Sequence, residues 1–433
     1  MGIASDLRAA RKVLTNALRS RNTRRELAHL IETEGTGEQA EVHIVVYFAD
    51  TRVNLYQIRQ WYGPLAELAK THPVTILTRS PGATLTLKAE APVPVVYCRR
   101  VTDLEGFVAR HDVRIVFYVN QNMKNFQMFR YGRMWHVFIN HGESDKMYMT
   151  TNQFKAYDFA FVAGQAALDR LSNKLWGYDV ATKAIPIGRP QADHFAGEVP
   201  YPDDDRTVVL YAPTWEGDRP AAAYGSIASH GVAIADAVLA SPGHRLVYRP
   251  HPRSGVIDRA YREANERIIA AIAAANAADP SAHHVFDDGP QLGWQLADAD
   301  VAITDISAMV YDRLAVGKPI IVTRPSSPAA EVDEQGYLGA AEWLTAADAP
   351  NVLAEVDRAL NDPRARETLA YWSRHHFGDT TPGASTARFH AAVEQLIAEW
   401  DRFAALHADD PRTSESDPFD DDEDDEGMPA SGD

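Results

Sequence analysis

Three stretches of this 433-residue sequence put reactive side chains just after apolar runs of strand type. In "LVYRPHPRSG" (246–255) the run Leu246-Val247-Tyr248 leads into Arg249, His251 and Arg253, interleaved with two prolines that stop further pairing. In "VAITDISAMVYDRLAVGKPIIV" (301–322) the buried-strand pattern Val301–Thr304 turns at Asp305-Ile306-Ser307, after which Val310 and Leu314 mark a helix. Ser307 is thus an N-cap or first-turn residue, with free backbone N–H groups and a helix dipole facing outward, which suits an anion. In "INHGESDK" (139–146) His141 follows a third apolar run. Breaking a diphosphate needs charge neutralised on the departing nucleoside phosphate, which Arg249, His251, Arg253 and the Ser307 helix end, with Thr304 beside it, can supply. A hydroxyl nucleophile needs its proton removed near neutral pH, which is the range of histidine. Each stretch also has a plainer reading: His141 satisfied by backbone at a strand end, His251 in a surface turn, Ser307 at an ordinary helix start. Thr214 and Trp215 read as packing residues, Asp305 and Asp312 as structural, and Lys318 as a solvated loop end.

The elements that must position these residues follow a regular alternation. From residue 42, short apolar runs alternate with helix-like intervals, the pattern of parallel α/β units. A first series of runs covers 42–49, 73–78, 93–98, 113–119, 135–140, 159–164 and 183–188, with intervals such as "LYQIRQWYGPLAELAK" and "QAALDRLSNKLWGY" between them. A second covers 207–213, 244–250, 283–288, 301–305 and 319–325. Between the two, "GEVPYPDDDR" (197–206) is rich in Pro and Asp and reads as a linker. The division expected is a basic helical segment (1–40), a first Rossmann-like domain (41–196), the linker, a second Rossmann-like domain (207–382), a long amphipathic helix (383–408) packing across both domains, and an acidic tail (409–433). Two doubly wound domains would then face each other across a cleft lined by strand ends. No Walker loop, HExxH or GxSxG is present, and "GTG" at 35–37 precedes a strand instead of following one, which argues against P-loop and dehydrogenase readings.

Taken together, "INHGESDK", "VLYAPTWEGD" (209–218), "YRPHPRSG", "ITDISAMVYDRLAVGKPII" and "HHFGDTTPGAS" resemble, in identity and order, the motifs of the CDP-glycerol glycerophosphotransferase family, over about residues 130–390. The resemblance implies a GT-B fold, donor nucleotide bound mainly by the second domain, and peripheral membrane association. It also implies transfer of a polyol phosphate from a CDP-activated donor to a hydroxyl of a lipid-linked or polymer acceptor. It makes His141 the catalytic base and sets His251 beside the donor diphosphate. Ser307 matches the first of a serine pair that binds diphosphate, whereas the second is Ala308 here. "HGESDK" departs from the commoner "HGTPLK" and puts Glu143, Asp145 and Lys146 on the acceptor side. An acidic pair there would repel a polyanionic acceptor and favour a less charged one. A GT-B enzyme acting on a nucleotide sugar, as glycosyltransferase or epimerase, and a non-catalytic scaffold at the membrane are the competing readings. No metal, cofactor or nucleic-acid partner is expected, and the Asp clusters at 203–205 and 287–288 read as solvated surface.

The charge is distributed unevenly. Residues 409–433 hold 12 Asp or Glu and one Arg, so most of the net charge of −17 lies in a tail that cannot bury a core. Residues 1–25 carry seven Lys or Arg against Asp6 alone. That segment suits an anionic membrane surface, or else a helix packed on the protein with a solvated basic face. With no apolar run long enough to span a bilayer and no apolar secretory core, the expected location is cytoplasmic, peripheral on the inner face of the plasma membrane. The one cysteine, Cys98, reads as a small buried hydrophobe.

Overall fold

Strands that are apolar along their whole length must be covered on both faces, and helices returning between parallel strands do that. The computed structural model describes residues 20–143, 150–289, 292–332, 334, 336–341 and 343–409 and contains two such sheets. The first comprises β1 (Ile44–Phe48), β2 (Val74–Thr78), β3 (Val95–Tyr97), β4 (Ile115–Tyr118), β5 (Trp135–Phe138), β6 (Phe159–Val162) and β7 (Ala184–Pro186), in the order 3-2-1-4-5-6-7. The second comprises β8 (Thr207–Ala212), β9 (His244–Tyr248), β10 (Val285–Phe286), β11 (Val301–Thr304), β12 (Ile320–Thr323) and β13 (Trp343–Leu344), in the order 10-9-8-11-12-13. All pairings are parallel. Every run read as a strand forms one. The edge strand β13 was not anticipated, although β10, equally short, was. The direction of winding reverses between β1 and β4 and again between β8 and β11, which opens a crevice beyond the carboxyl ends of those strands.

The long closing helix, Ala384–Leu406, departs from the expectation that it packs across both domains. Its buried Phe389, Val393 and Leu396 join the core of the first sheet, against Trp61, Phe117 and Phe161. The Trp135 indole N–H donates to Leu396 O at 3.0 Å, and that of Trp400 to Arg133 O at 2.9 Å. Asp193 anchors the helix start by accepting from the Gly383 and Thr386 backbone N–H groups at 3.0 and 2.6 Å. Bridging falls to the preceding helix, Pro363–Phe377, which packs on helix Gln165–Lys174 after the first sheet's β6 and on helix Ala308–Ala315 after the second sheet's β11. Phe377 there shares a cluster with Ala163, Val310 and Leu314.

The interval "LYQIRQWYGPLAELAK" is two helices, Leu55–Arg59 and Tyr62–Leu68, and not one. Before β1 a helix spans 20–34, seated on the body through buried Leu27 with Arg21 and Arg25 exposed. The rest of the basic segment (1–19) and the tail from 410 lie outside the described residues. Cys98 is buried, which pushes its thiol up to about 12.

Candidate active site

His141 owes its position to a kink. After β5, Asn140 takes the left-handed conformation (φ 53°), which asparagine tolerates, and its side-chain amide donates to Gly142 O at 2.6 Å. The turn swings His141 off the strand and under the end of β4, where its Nδ1 lies 3.0 Å from Val119 O. A carbonyl only accepts, so Nδ1 carries the proton and Nε2 keeps its lone pair. Burial, opposed by the Val119 bond and reinforced by the Arg189 charge, lowers the pKa below the ordinary 6.5, so the ring is neutral at pH 7. Tyr56, which is 52% exposed, meets the ring edge-on with centroids 5.8 Å apart.

The second half-site is built on loops that hold each other. Asp305, fully buried at the end of β11, accepts from the backbone N–H groups of Thr214 (2.7 Å) and Ser226 (3.1 Å) and from the Thr323 hydroxyl (2.5 Å). Burial pushes its carboxyl up to about 6 against those donors. Two residues beyond Thr214, Glu216 accepts from the N–H groups of Gly255 (3.0 Å), Ile257 (2.9 Å) and Asp258 (3.0 Å), closing the loop that carries His251. Burial opposes ionisation of Glu216, but these N–H groups hold its pKa below the ordinary value. His251 is exposed, and its Nδ1 accepts from the Arg253 backbone N–H at 3.1 Å, so a neutral ring carries its proton on Nε2. Surrounding protein and then the Arg253 charge lower its pKa, with Glu216 opposing. Ser307 is the N-cap of helix Ala308–Ala315, its hydroxyl accepting from Met309 N–H at 3.3 Å.

The remaining expected residues are placed differently. Arg249 is engaged with the protein itself, donating to Asp287 at 2.5 Å and to Gly289 O at 3.0 Å, so Asp287 is a structural acceptor and not solvated surface. Asp204 likewise pairs with buried Arg245 at 2.7 Å. Thr304 is fully buried within β11 and offers no surface to a ligand. Glu143 is buried against Arg170 at 2.5 Å, so its charge is neutralised and does not repel an acceptor as the sequence suggested. Asp145 and Lys146 lie outside the described residues. Lys318 is half-buried and donates to Ala297 O, unlike a solvated loop end.

Sequence reasoning missed Arg189. It follows Gly188, whose positive φ of 75° and contact with the Ser385 hydroxyl leave no room for a Cβ. The Arg189 guanidinium forms a buried ion pair with Asp312, on the helix that Ser307 caps. Its Nη1 would lie 3.7 Å from a Cβ added to Gly142, beside His141. Burial raises the pKa of Asp312, and the Arg189 charge opposes that rise. One buried cation therefore links the two half-sites. The signal that could have found it, "GRP" after a short strand, is too brief to separate from a turn.

Residues 149–327 match the model of the family described as CDP-Glycerol:Poly(glycerophosphate) glycerophosphotransferase. The resemblance read from the motifs holds over this span. It takes in Trp215, His251 and Ser307 and stops short of His141. No curated protein matches the chain. Among solved structures, a UDP-GlcNAc 2-epimerase from Neisseria meningitidis bound to UDP-GlcNAc aligns at TM-score 0.54 and 13% identity, covering 83% of this chain and 100% of its own. A putative UDP-N-acetylglucosamine 2-epimerase from Listeria monocytogenes aligns at 0.52 and 15%, covering 83% and 98%. The wall teichoic acid polymerase TagF soaked with CDPG aligns at 0.51 and 11%, covering 92% and 99%. At such identities the likeness is one of fold: two parallel α/β sheets in the GT-B arrangement.

Proposed function

We propose that this protein transfers glycerol phosphate, or a related polyol phosphate, from a CDP-activated donor to a hydroxyl of a cell-wall or lipid-linked acceptor, releasing CMP. The family match supports a glycerophosphotransferase. The observation that carries the mechanism is the opposite tautomers of the two histidines: His141 offers a lone pair at Nε2, whereas His251 offers a proton there. His141 takes the proton of the acceptor hydroxyl as its oxygen attacks the phosphorus bearing the polyol. The new O–P bond forms as the diphosphate bridge breaks, and the bridge electron pair leaves with CMP. Charge growing on that leaving group is met by the His251 Nε2–H, the Arg253 guanidinium and the backbone N–H groups at the Ser307 helix start. Ala308 in place of a second hydroxyl leaves the backbone donors in place.

Among the described residues no helix is long and apolar enough to cross a membrane. The basic segment 1–25 supports a peripheral contact with anionic lipid, each basic residue near such a surface contributing about 1 kcal/mol. Incubating the full chain with CDP-glycerol, other CDP-polyols and UDP-sugars, each with candidate acceptors, and following CMP or UDP tests the chemistry. CMP release only with a CDP-polyol is the expected result, and UDP release would shift the reading to a nucleotide-sugar enzyme. Co-sedimentation with anionic vesicles, with and without residues 1–25, tests the membrane contact. Deletion should lower the bound fraction most at low salt, and an unchanged fraction would remove the segment from that role.

A further inference from the structure

Trp215 lies between two anchored points. On one side the Thr214 N–H is held by buried Asp305, and on the other Glu216 grips three backbone N–H groups of the neighbouring loop. Both anchors restrain the backbone that carries the half-buried Trp215 ring. Both functional side chains of the other loop rest on that ring. The Arg253 guanidinium sits over its face, 3.8 Å from the centroid, and the His251 imidazole stacks with centroids 6.4 Å apart at 29° between planes. An exposed arginine and an exposed histidine would otherwise sample many rotamers, and ordering them on binding would cost affinity. A guanidinium over an indole face is also held electrostatically.

We infer that Trp215 is a positioning residue: it presents His251 and Arg253 in one fixed arrangement toward the donor's diphosphate before the donor arrives. The inference rests on the proposed transferase reading for its substrate and on the ring geometry for everything else. Trp215 itself touches no reacting atom in this scheme. Its contribution is to remove a conformational search, and misplacement of about 1 Å in such a group can cost ~10²-fold in rate.

The experiment compares full-length wild type, Trp215→Ala and Trp215→Phe. Histidine labelled with ¹³C reports the titration of the ring assigned to His251 through a His251→Gln control, and CMP release from CDP-glycerol reports kcat and KM. The charged neighbours acting on His251 are Arg253 and Glu216. Taking away the ring uncovers the imidazole and frees Arg253, and both changes raise the His251 pKa toward the ordinary 6.5. The expected result is an upward shift in Trp215→Ala together with a 10- to 100-fold fall in kcat/KM in which kcat falls as well as KM rising, with Trp215→Phe near wild type in both readouts. If Trp215→Ala, or Trp215→Leu should the alanine variant not fold, titrates and turns over like wild type, the positioning role is overturned. A folded Phe variant as impaired as the Ala variant would also overturn it, since it would mean the indole is needed for something other than its face. Wild type that releases no CMP sinks the transferase reading instead, and the titration then decides the positioning role alone.

Discussion

The two half-sites use the same side chain in opposite ways. His141 follows β5, and its Nδ1 is spent on a carbonyl of the adjoining strand end. His251 follows β9, and its Nδ1 is spent on a backbone N–H of its own turn. Both rings are held neutral at pH 7 by their surroundings, so Nε2 is a base in one and a donor in the other. Histidine's role is thus set by which backbone group meets Nδ1, a matter of turn geometry and not of residue type. The supports differ too: the first half-site is braced from outside by Arg189 and Tyr56, whereas the second is built from two loops tied by buried carboxylates.

That contrast can be broken most severely at the base. His141→Ala should lower kcat by about 10²- to 10⁴-fold, with CDP affinity by calorimetry nearly unchanged. His141→Gln should be no better, because an amide cannot take the proton. A collapse of nucleotide affinity in either variant would mean that His141 serves the donor side.

Next in size is the link between the halves. Arg189→Met leaves Asp312 buried without its counter-charge and should cost about 3–5 kcal/mol in chemical denaturation. Arg189→Met combined with Asp312→Leu should recover most of that stability, since a buried pair can be replaced by apolar groups at little loss. If transfer returns in full with the stability, the pair has no part in joining the two half-sites.

His251 sharpens the comparison. His251→Ala should lose about 10²- to 10³-fold in rate. His251→Gln, whose amide can still donate near the Nε2 position, should retain more of it. Equal loss in the Ala and Gln variants would show that the second histidine is not acting as a donor.

The smallest effect is a shift in the pH profile. A base must be unprotonated, so kcat/KM should rise with pH through the His141 pKa, and because that pKa is lowered, the acid limb should lie below pH 6.5. Removing the Arg189 charge should move the limb upward toward 6.5. A limb that stays put in a folded Arg189→Met protein would separate the Arg189 charge from the titration of His141.

What was legible in the sequence was the part encoded locally. Period and composition of runs such as "VVLYAP" and "VAITD" are local, so every strand longer than two residues could be read. The order of reactive groups after those runs was legible for the same reason. Arg249 misled because its basic neighbours suggested a cation cluster, whereas Asp287, 38 residues later, claims its guanidinium. Glu143 misled in the same way, since Arg170 lies on a separate helix.

By itself, the sequence determined two wound parallel sheets, the strand ends that carry His141, His251 and Ser307, and a strongly acidic tail, because all of these depend on spacing and composition within a short window. Only the tertiary structure decided which nitrogen of each histidine holds the proton, that Arg189 and Asp312 pair across the two sheets' elements, and that the closing helix returns to the first sheet instead of spanning both. Those outcomes rest on contacts between residues far apart in the chain, such as Trp135 with Leu396 and Asp305 with Thr214, and their geometry is fixed by how covered sheets pack.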